Sequence, residues 1–351
     1  MTTADEVLQE LAVPPEWLAS GLQRTHTERW VNASPLDSIC EGAVWPAGKL
    51  LRPALLLESC AAVGGDPRDV LPAALSVEYF HAASLVHDDI IDGGMIRRGR
   101  PSVVASFGPE LALLAGDELV FQVFQACAAC VGPAVPARRV LTAVGVLAAA
   151  GAELCRGQQA ERALRADLEA GLEGYCAVAA QKTSALLTAS CQVGAILGGG
   201  TADHVAALSR FARCLGVAFQ MADDMRPYLH GRPDHGKDVL TDIACRAMTF
   251  PLVVALREFG GEGRSVIAEA FSLGTPPQVS FQLLADMVLS SQVIDAAAAI
   301  VDGWVSEAKA ALEALPCGSS RDRLARIAVT VGKACPPREG RWLPEQHNER
   351  R

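Results

Sequence analysis

The chain has 351 residues, 50% of them hydrophobic, with 31 basic against 40 acidic side chains and a net charge of −9. That is enough apolar material for a large core, and the acidic balance excludes a general nucleic-acid binder, so any anion site must be a local basic cluster. The N-terminal residues lack the basic-then-apolar order of a secretion signal, and the most apolar stretches, such as 140–152, are shorter than the ~20 residues of a membrane span. A cytoplasmic protein with no membrane span is expected, its eleven scattered cysteines buried as small apolar residues in a reducing compartment.

Aromatics are only 5%, strand-like alternation is scarce, and helical spacing of apolar residues recurs throughout. The spacing predicts helices over 49–63, 70–92, 109–130, 138–164, 171–197, 202–224, 249–259, 278–290 and 292–315. Breaks fall at 64–68, 93–102, 131–137, 198–201, 226–236, 260–264 and 273–277, where Gly, Pro and polar residues cluster. Several helices are apolar nearly all round, as the central helices of a bundle are. No linker or repeat divides the chain, so the prediction is one all-α domain over 1–335 and a polar, mobile tail over 336–351.

Four clusters carry chemistry. Gly48-Lys49-Leu50-Leu51-Arg52-Pro53 opens the first helix; alone it reads as a solvated basic face, but two cations at a helix start also suit phosphate. The second helix ends in His87-Asp88-Asp89-Ile90-Ile91-Asp92, followed by Arg97 and Arg98. Asp88 and Asp92 are four apart and share a helix face, where like charges repel and burial costs hydration. Keeping them there points to a hard cation such as Mg²⁺, bridged to a substrate phosphate. His81 lies two turns earlier on the same face. Gln181-Lys182-Thr183 interrupts a long apolar helix, and its Lys either snorkels to solvent or meets an anion. Phe219-Gln220-Met221-Ala222-Asp223-Asp224 ends another, with Gly236-Lys237 and Asp242 beyond it.

These motifs, taken with Gly116-Asp117 and Gly157-Gln158, stand in an order and spacing that resemble the trans-isoprenyl (polyprenyl) diphosphate synthases of the farnesyl/geranylgeranyl type. The resemblance runs from about Gly48 to Pro251 and more weakly to about Lys333. It implies an isoprenoid synthase-type helical bundle with a central active-site cavity, a homodimer, and three Mg²⁺ ions with bound diphosphate. It further implies that Lys49, Arg52, His81 and Arg98 hold isopentenyl diphosphate, and that Arg97, Lys182 and Lys237 grip an allylic diphosphate. Asp88 and Asp92 on one wall and Asp223 on the other would hold metal, with Thr183 and Gln220 at the reacting centre.

The chain departs from the family pattern on one side. Pro227 replaces the last acid of the second Asp-Asp-x-x-Asp, beside Arg226, and is expected to end its helix at about Met225 or Arg226. Ala247 stands where the family has a Lys that binds the allylic diphosphate; Arg246 is adjacent but rotated by ~100° on a helix. Glu161 replaces an Asp and keeps its charge. In the family, bulk near the first aspartates limits product length. Here Ala83 and Ser84 are small and Phe80 lies a turn deeper, which suggests geranylgeranyl diphosphate with Phe80 in the pocket floor. A terpene cyclase on the same scaffold, or a non-catalytic partner subunit, is the alternative.

Overall fold

A computed structural model describes residues 15–29, 34–45, 47–169, 171–229, 239–272 and 274–335. The chain runs through α1 (Pro15–Arg29), α2 (Pro35–Val44), α3 (Leu51–Ala62) and α4 (Leu71–Asp92) into a small hairpin, β1 (Ile96–Arg97) and β2 (Arg100–Pro101). It continues with α5 (Val103–Ala128), α6 (Ala137–Ala163), α7 (Leu172–Ala179), a π-helical turn (Ala180–Ser184), α8 (Ala185–Leu197) and α9 (Ala202–Leu229). Then follow α10 (Val239–Ala244), α11 (Phe250–Phe259), α12 (Gly261–Ala270), α13 (Pro277–Val288), α14 (Ser291–Ala311) and α15 (Ser319–Lys333).

α8 is the middle of the bundle, packed on α3, α6 and α9 and touching α4. Its composition explains the position. Leu187, Cys191 and Ala195 face one cluster of buried residues, shared with α9, α11 and α13 to α15. Leu186, Ala189, Val193 and Leu197 face the other, shared with α1 to α6. α3 divides in the same way, with Leu51 and Leu55 on one side and Leu56 and Leu57 on the other. A helix that is apolar all round must be covered all round, and each buried Leu contributes about 1.5–3 kcal/mol. Gly194 lets α8 touch α3, since any Cβ there would collide with the Leu56 carbonyl oxygen.

The all-α prediction holds, and five of the observed helices (α1, α2, α10, α12 and α15) lie outside the predicted set. α12 replaces most of the break expected at 260–264. The predicted helix 171–197 is one path interrupted by the π turn. α5 starts earlier than expected because Ser102 caps it, accepting from the Ala105 N–H, and the helix passes a kink at Gly108 (φ 81) and Pro109.

Two expectations are corrected. α9 does not end before Pro227 but runs on to Leu229. Proline removes one N–H in the last turn, while Met225 and Tyr228 are buried and the Tyr228 ring stacks on Phe281 at 5.3 Å, so packing carries the helix past it. The stretches thought too short for a membrane belong to longer helices: α5 and α6 are each long and apolar enough to cross one by length and composition. The apolar run was underestimated because scattered polar residues do not end a helix. The cysteines are all free among the described residues, and seven are buried. These include Cys127 and Cys130, a CxxC spacing in which burial pushes the Cys127 thiol up to about 12, leaving it inert. The tail 336–351 lies outside the described residues.

Candidate active site

The first wall is the C-terminal end of α4. Gly93 (φ 67) caps the helix, and the Gly94 N–H returns to the Asp89 carbonyl. Of the three aspartates, Asp89 is buried and turned inward, where its carboxylate accepts from Arg97 Nε and Nη2 at 3.2 and 2.5 Å. Asp88 and Asp92 stay solvent-accessible, and Asp92 Oδ1 is 3.2 Å from Arg165 Nη2. The middle acid is therefore an anchor for Arg97, leaving the outer two for a ligand. Arg98 and Gly99 (φ 52 and 73) form the two-residue turn of the hairpin, and left-handed backbone at both positions is what a tight turn of this kind requires.

That turn sends Arg98 back onto the first motif. Its Nη2 would be 2.5 Å from a Cβ at Gly48, so only glycine leaves room for the guanidinium. Behind it, Arg52, His81 and Glu78 form a buried electrostatic group with Arg98. Burial, together with the Arg52, Arg98 and Arg97 charges, holds His81 well below its ordinary pKa, so its imidazole is neutral and available to share a proton. Burial raises the Glu78 carboxyl while Arg52 and Arg98 pull it down. Glu78 escaped the sequence reading although an acid inside Leu75-Ser76-Val77-Glu78-Tyr79-Phe80, three residues before His81, marks it.

The second wall is the C-terminal end of α9 with the π turn beside it. A π turn interrupts regular helix geometry and is frequent at functional sites. It aims Lys182 at Glu161 of α6, Nζ to Oε2 at 2.5 Å, and Thr183 at Gln220, whose Oε1 accepts from Thr183 Oγ1 at 2.5 Å. Gln220 Nε2 in turn donates to Asp224 Oδ1 at 2.7 Å. Asp224 also accepts from Tyr175 Oη at 2.8 Å and from the Phe250 N–H at 3.1 Å. It is thus a structural acid tying α7, α9 and α11 together. Asp223 is partly exposed, with its Oδ1 3.1 Å from Arg226 Nη2.

The walls are linked through the end of α6, where Glu161 meets Lys182 and Arg165, just past the helix, meets Asp92. Nothing in the sequence marks Arg165, which sits in a turn and finds Asp92 only through the fold. One pocket lies against Lys182, Thr183, Gln220, Asp224 and Ala247, and a neighbouring one against Asp223, Asp224, Arg226, Asp242 and Ala247. Arg246 lines neither and adopts φ 55. Lys237 lies outside the described residues. Ala83 and Phe80 are buried, and Ser84 donates to the His81 carbonyl.

No three Asp, Glu, His or Cys side chains among the described residues converge on a metal cage. The donors present nevertheless fit Mg²⁺. Asp88, Asp92 and Asp223 offer carboxylate oxygen only, and Mg²⁺ takes one or two carboxylates and completes its shell with water and phosphate.

Residues 33–280 match the sequence family described as polyprenyl synthetase. The chain belongs to that family. It is with its family a prenyl-transferring enzyme on the isoprenoid synthase fold. This polyprenyl synthetase is 34% identical over 291 residues to a short chain isoprenyl diphosphate synthase of Methanothermobacter thermautotrophicus, covering 83% of this chain and 88% of that protein. It is 38% identical over 222 residues to a (2E,6E)-farnesyl diphosphate synthase of Mycobacterium tuberculosis, across 63% of this chain and 60% of that one. A heterodimeric geranylgeranyl pyrophosphate synthase large subunit of Arabidopsis thaliana is 39% identical across 60% of each chain. Among solved structures, geranylgeranyl pyrophosphate synthetase of Pyrococcus horikoshii superposes with a TM-score of 0.82 at 29% identity, over 94% of this chain and 98% of that one.

Proposed function

We propose that the enzyme condenses isopentenyl diphosphate with an allylic diphosphate to a longer (E)-prenyl diphosphate, with geranylgeranyl diphosphate as the product. The observation that supports this reading is that both walls carry basic side chains: Arg52, Arg97 and Arg98 around the neutral His81 beside the first, and Lys182, paired with Glu161, beside the second. A condensation needs two diphosphates held at once. A cyclase acting on one allylic diphosphate has no use for the first group, and a non-catalytic subunit has none for Asp88 and Asp92.

In this mechanism Asp88 and Asp92 on one side and Asp223 on the other would hold Mg²⁺, three ions in the family pattern, which when bound would supply Lewis-acid stabilisation of the leaving diphosphate. Arg97, Lys182 and Lys237 hold the allylic diphosphate, and Lys182 exchanges its Glu161 partner for phosphate. Lys49, Arg52, His81 and Arg98 fix isopentenyl diphosphate so that its double bond faces the carbon that loses the diphosphate, which is catalysis by positioning. Thr183 and Gln220, already hydrogen-bonded to each other, orient polar atoms beside that carbon. The apolar walls exclude water, which would otherwise quench the cation. Phe80 closes the floor beneath Ala83 and Ser84. Incubation with Mg²⁺ and an allylic primer, with and without isopentenyl diphosphate, tests the reading: elongation only with the co-substrate supports it, and hydrocarbon formed without it favours the cyclase.

We further propose a homodimer closing on α5. Beyond the kink at Gly108, Leu111, Leu114 and Phe121 recur on one face of that helix and are all exposed, Phe121 by 62%, and Leu141 of α6 is 74% exposed. A contiguous apolar face of this kind marks an interface. Its occupant here is a second copy, because the stripe is continuous along a helix whose other face is buried against α4. Phe121→Glu should convert a dimer to a monomer by light scattering; a wild-type monomer at all concentrations would refute it.

A further inference from the structure

The second wall has lost an acid at Pro227 and a cation at Ala247, and the fold sets a different cation into that gap. Arg226 lies three residues after Asp223 on α9, so both side chains leave one face of the helix. The guanidinium rests on Asp223 Oδ1 at 3.1 Å, and the side chain is only 13% exposed. It lines a small pocket together with Asp223, Asp242, Ala247 and Thr249. Among the described residues that line this cavity, three are acids and Arg226 is the one cation. Arg246, the neighbour of Ala247 in sequence, is not among the residues that line it. A solvated surface arginine would not be enclosed in this way, and a lone helix-end cation would not need a cavity in front of it.

We propose that Arg226 is a diphosphate-binding residue, supplying from α9 the positive charge that Ala247 cannot supply from the α10–α11 connection. The proposal rests on the prenyl-transfer reading and adds a specificity residue to it. A guanidinium presents its donors as a planar fork that matches the oxygens of a phosphate. A fixed positive charge beside Asp223 also compensates for the ligand missing at Pro227, since the wall then relies less on metal to neutralise the diphosphate.

The test compares wild type with Arg226→Leu, Arg226→Lys and the double variant Arg226→Leu/Ala247→Lys. KM is measured separately for the allylic primer and for isopentenyl diphosphate, and inorganic diphosphate binding is followed by calorimetry in the presence of Mg²⁺. Arg226→Leu should raise the allylic KM and the diphosphate Kd about tenfold or more, by loss of a charge-assisted contact worth roughly 1.4 kcal/mol per factor of ten, with the isopentenyl KM within twofold of wild type. Arg226→Lys should fall between, and Ala247→Lys should restore most of the loss. Unchanged allylic KM and diphosphate Kd in a folded Arg226→Leu protein would overturn the proposal. So would equal rises in both KM values with a lowered melting temperature, which indicate a structural role. A wild type that turns over no primer would refute the functional reading, and diphosphate binding alone would then decide the role of Arg226.

Discussion

The ring of Phe80 on α4 lies against Gly151 on α6: a Cβ at residue 151 would be 2.7 Å from Phe80 Cζ. The contact crosses the space between the two helices below the first aspartates, and it is possible only because residue 151 has no side chain. If Phe80 is the floor of the product pocket, the pair sets its depth. Phe80→Ala should then lengthen the products, and Gly151→Ala, by pushing the ring upward, should shorten them. Product masses from the same primer check both, and an unchanged product in both variants contradicts the assignment.

Asp88 and Asp92 are a like-charged pair four residues apart on one helix, an arrangement that costs stability by about 0.2–0.5 kcal/mol. Function and stability should therefore separate. Asp88→Asn should lower kcat by about two orders of magnitude or more through loss of metal binding, with a melting temperature equal to or above that of wild type. Steady-state kinetics and thermal melting on one preparation decide it.

Asp224 should behave in the opposite way. Its carboxylate accepts from Tyr175, Gln220 and the Phe250 N–H. Asp224→Ala strands three donors, and at about 1–3 kcal/mol for each buried unsatisfied group the loss should exceed about 3 kcal/mol. Tyr175→Phe removes one bond and should cost about 1 kcal/mol. Urea unfolding measures both, and equal, small effects would remove Asp224 from its structural role.

Much of this architecture is legible in the sequence, and the exceptions have physical reasons. Helices such as α4, α6 and α11 are read within a residue or two because their apolar spacing and flanking Gly and Pro agree. α10 is missed because it has six residues, and α12 because it opens on Gly-Glu-Gly, which reads as a break. The continuation of α9 past Pro227 depends on Tyr228 meeting Phe281, a contact far away in sequence. In the site, motif spacing brings out Asp88, Asp92, Lys182 and Asp223. It leaves out the division of labour within each acidic motif, in which Asp89 is buried against Arg97 and Asp224 bonds to Tyr175, Gln220 and the Phe250 N–H, and the partner Arg165, which only the fold brings to Asp92.

Acid should weaken the fold through two histidines, His26, which is buried, and His81, which is half-buried. Burial lowers the His26 pKa from 6.5 to about 4 in its contact with Tyr79. His81 is also lowered, by burial and then by Arg52, Arg98 and Arg97. The unfolded chain takes up these protons below about pH 6.5 while the folded chain stays neutral at both sites. Stability is therefore full above pH 6.5 and falls as the pH drops toward 4, by about 1.4 kcal/mol per pH unit for each histidine. His26→Gln should flatten that dependence by one proton, as read from urea midpoints between pH 7 and about pH 4.5. An identical slope in wild type and variant would contradict it.

The central claim is that the two walls hold two diphosphates and join their chains. Purified protein with Mg²⁺, isopentenyl diphosphate and each allylic primer in turn, followed by mass analysis of the products, measures this directly. Geranylgeranyl diphosphate, formed only when both substrates are present and lost in Asp88→Asn, is the predicted result. Failure of every primer to be elongated by a folded protein would contradict it.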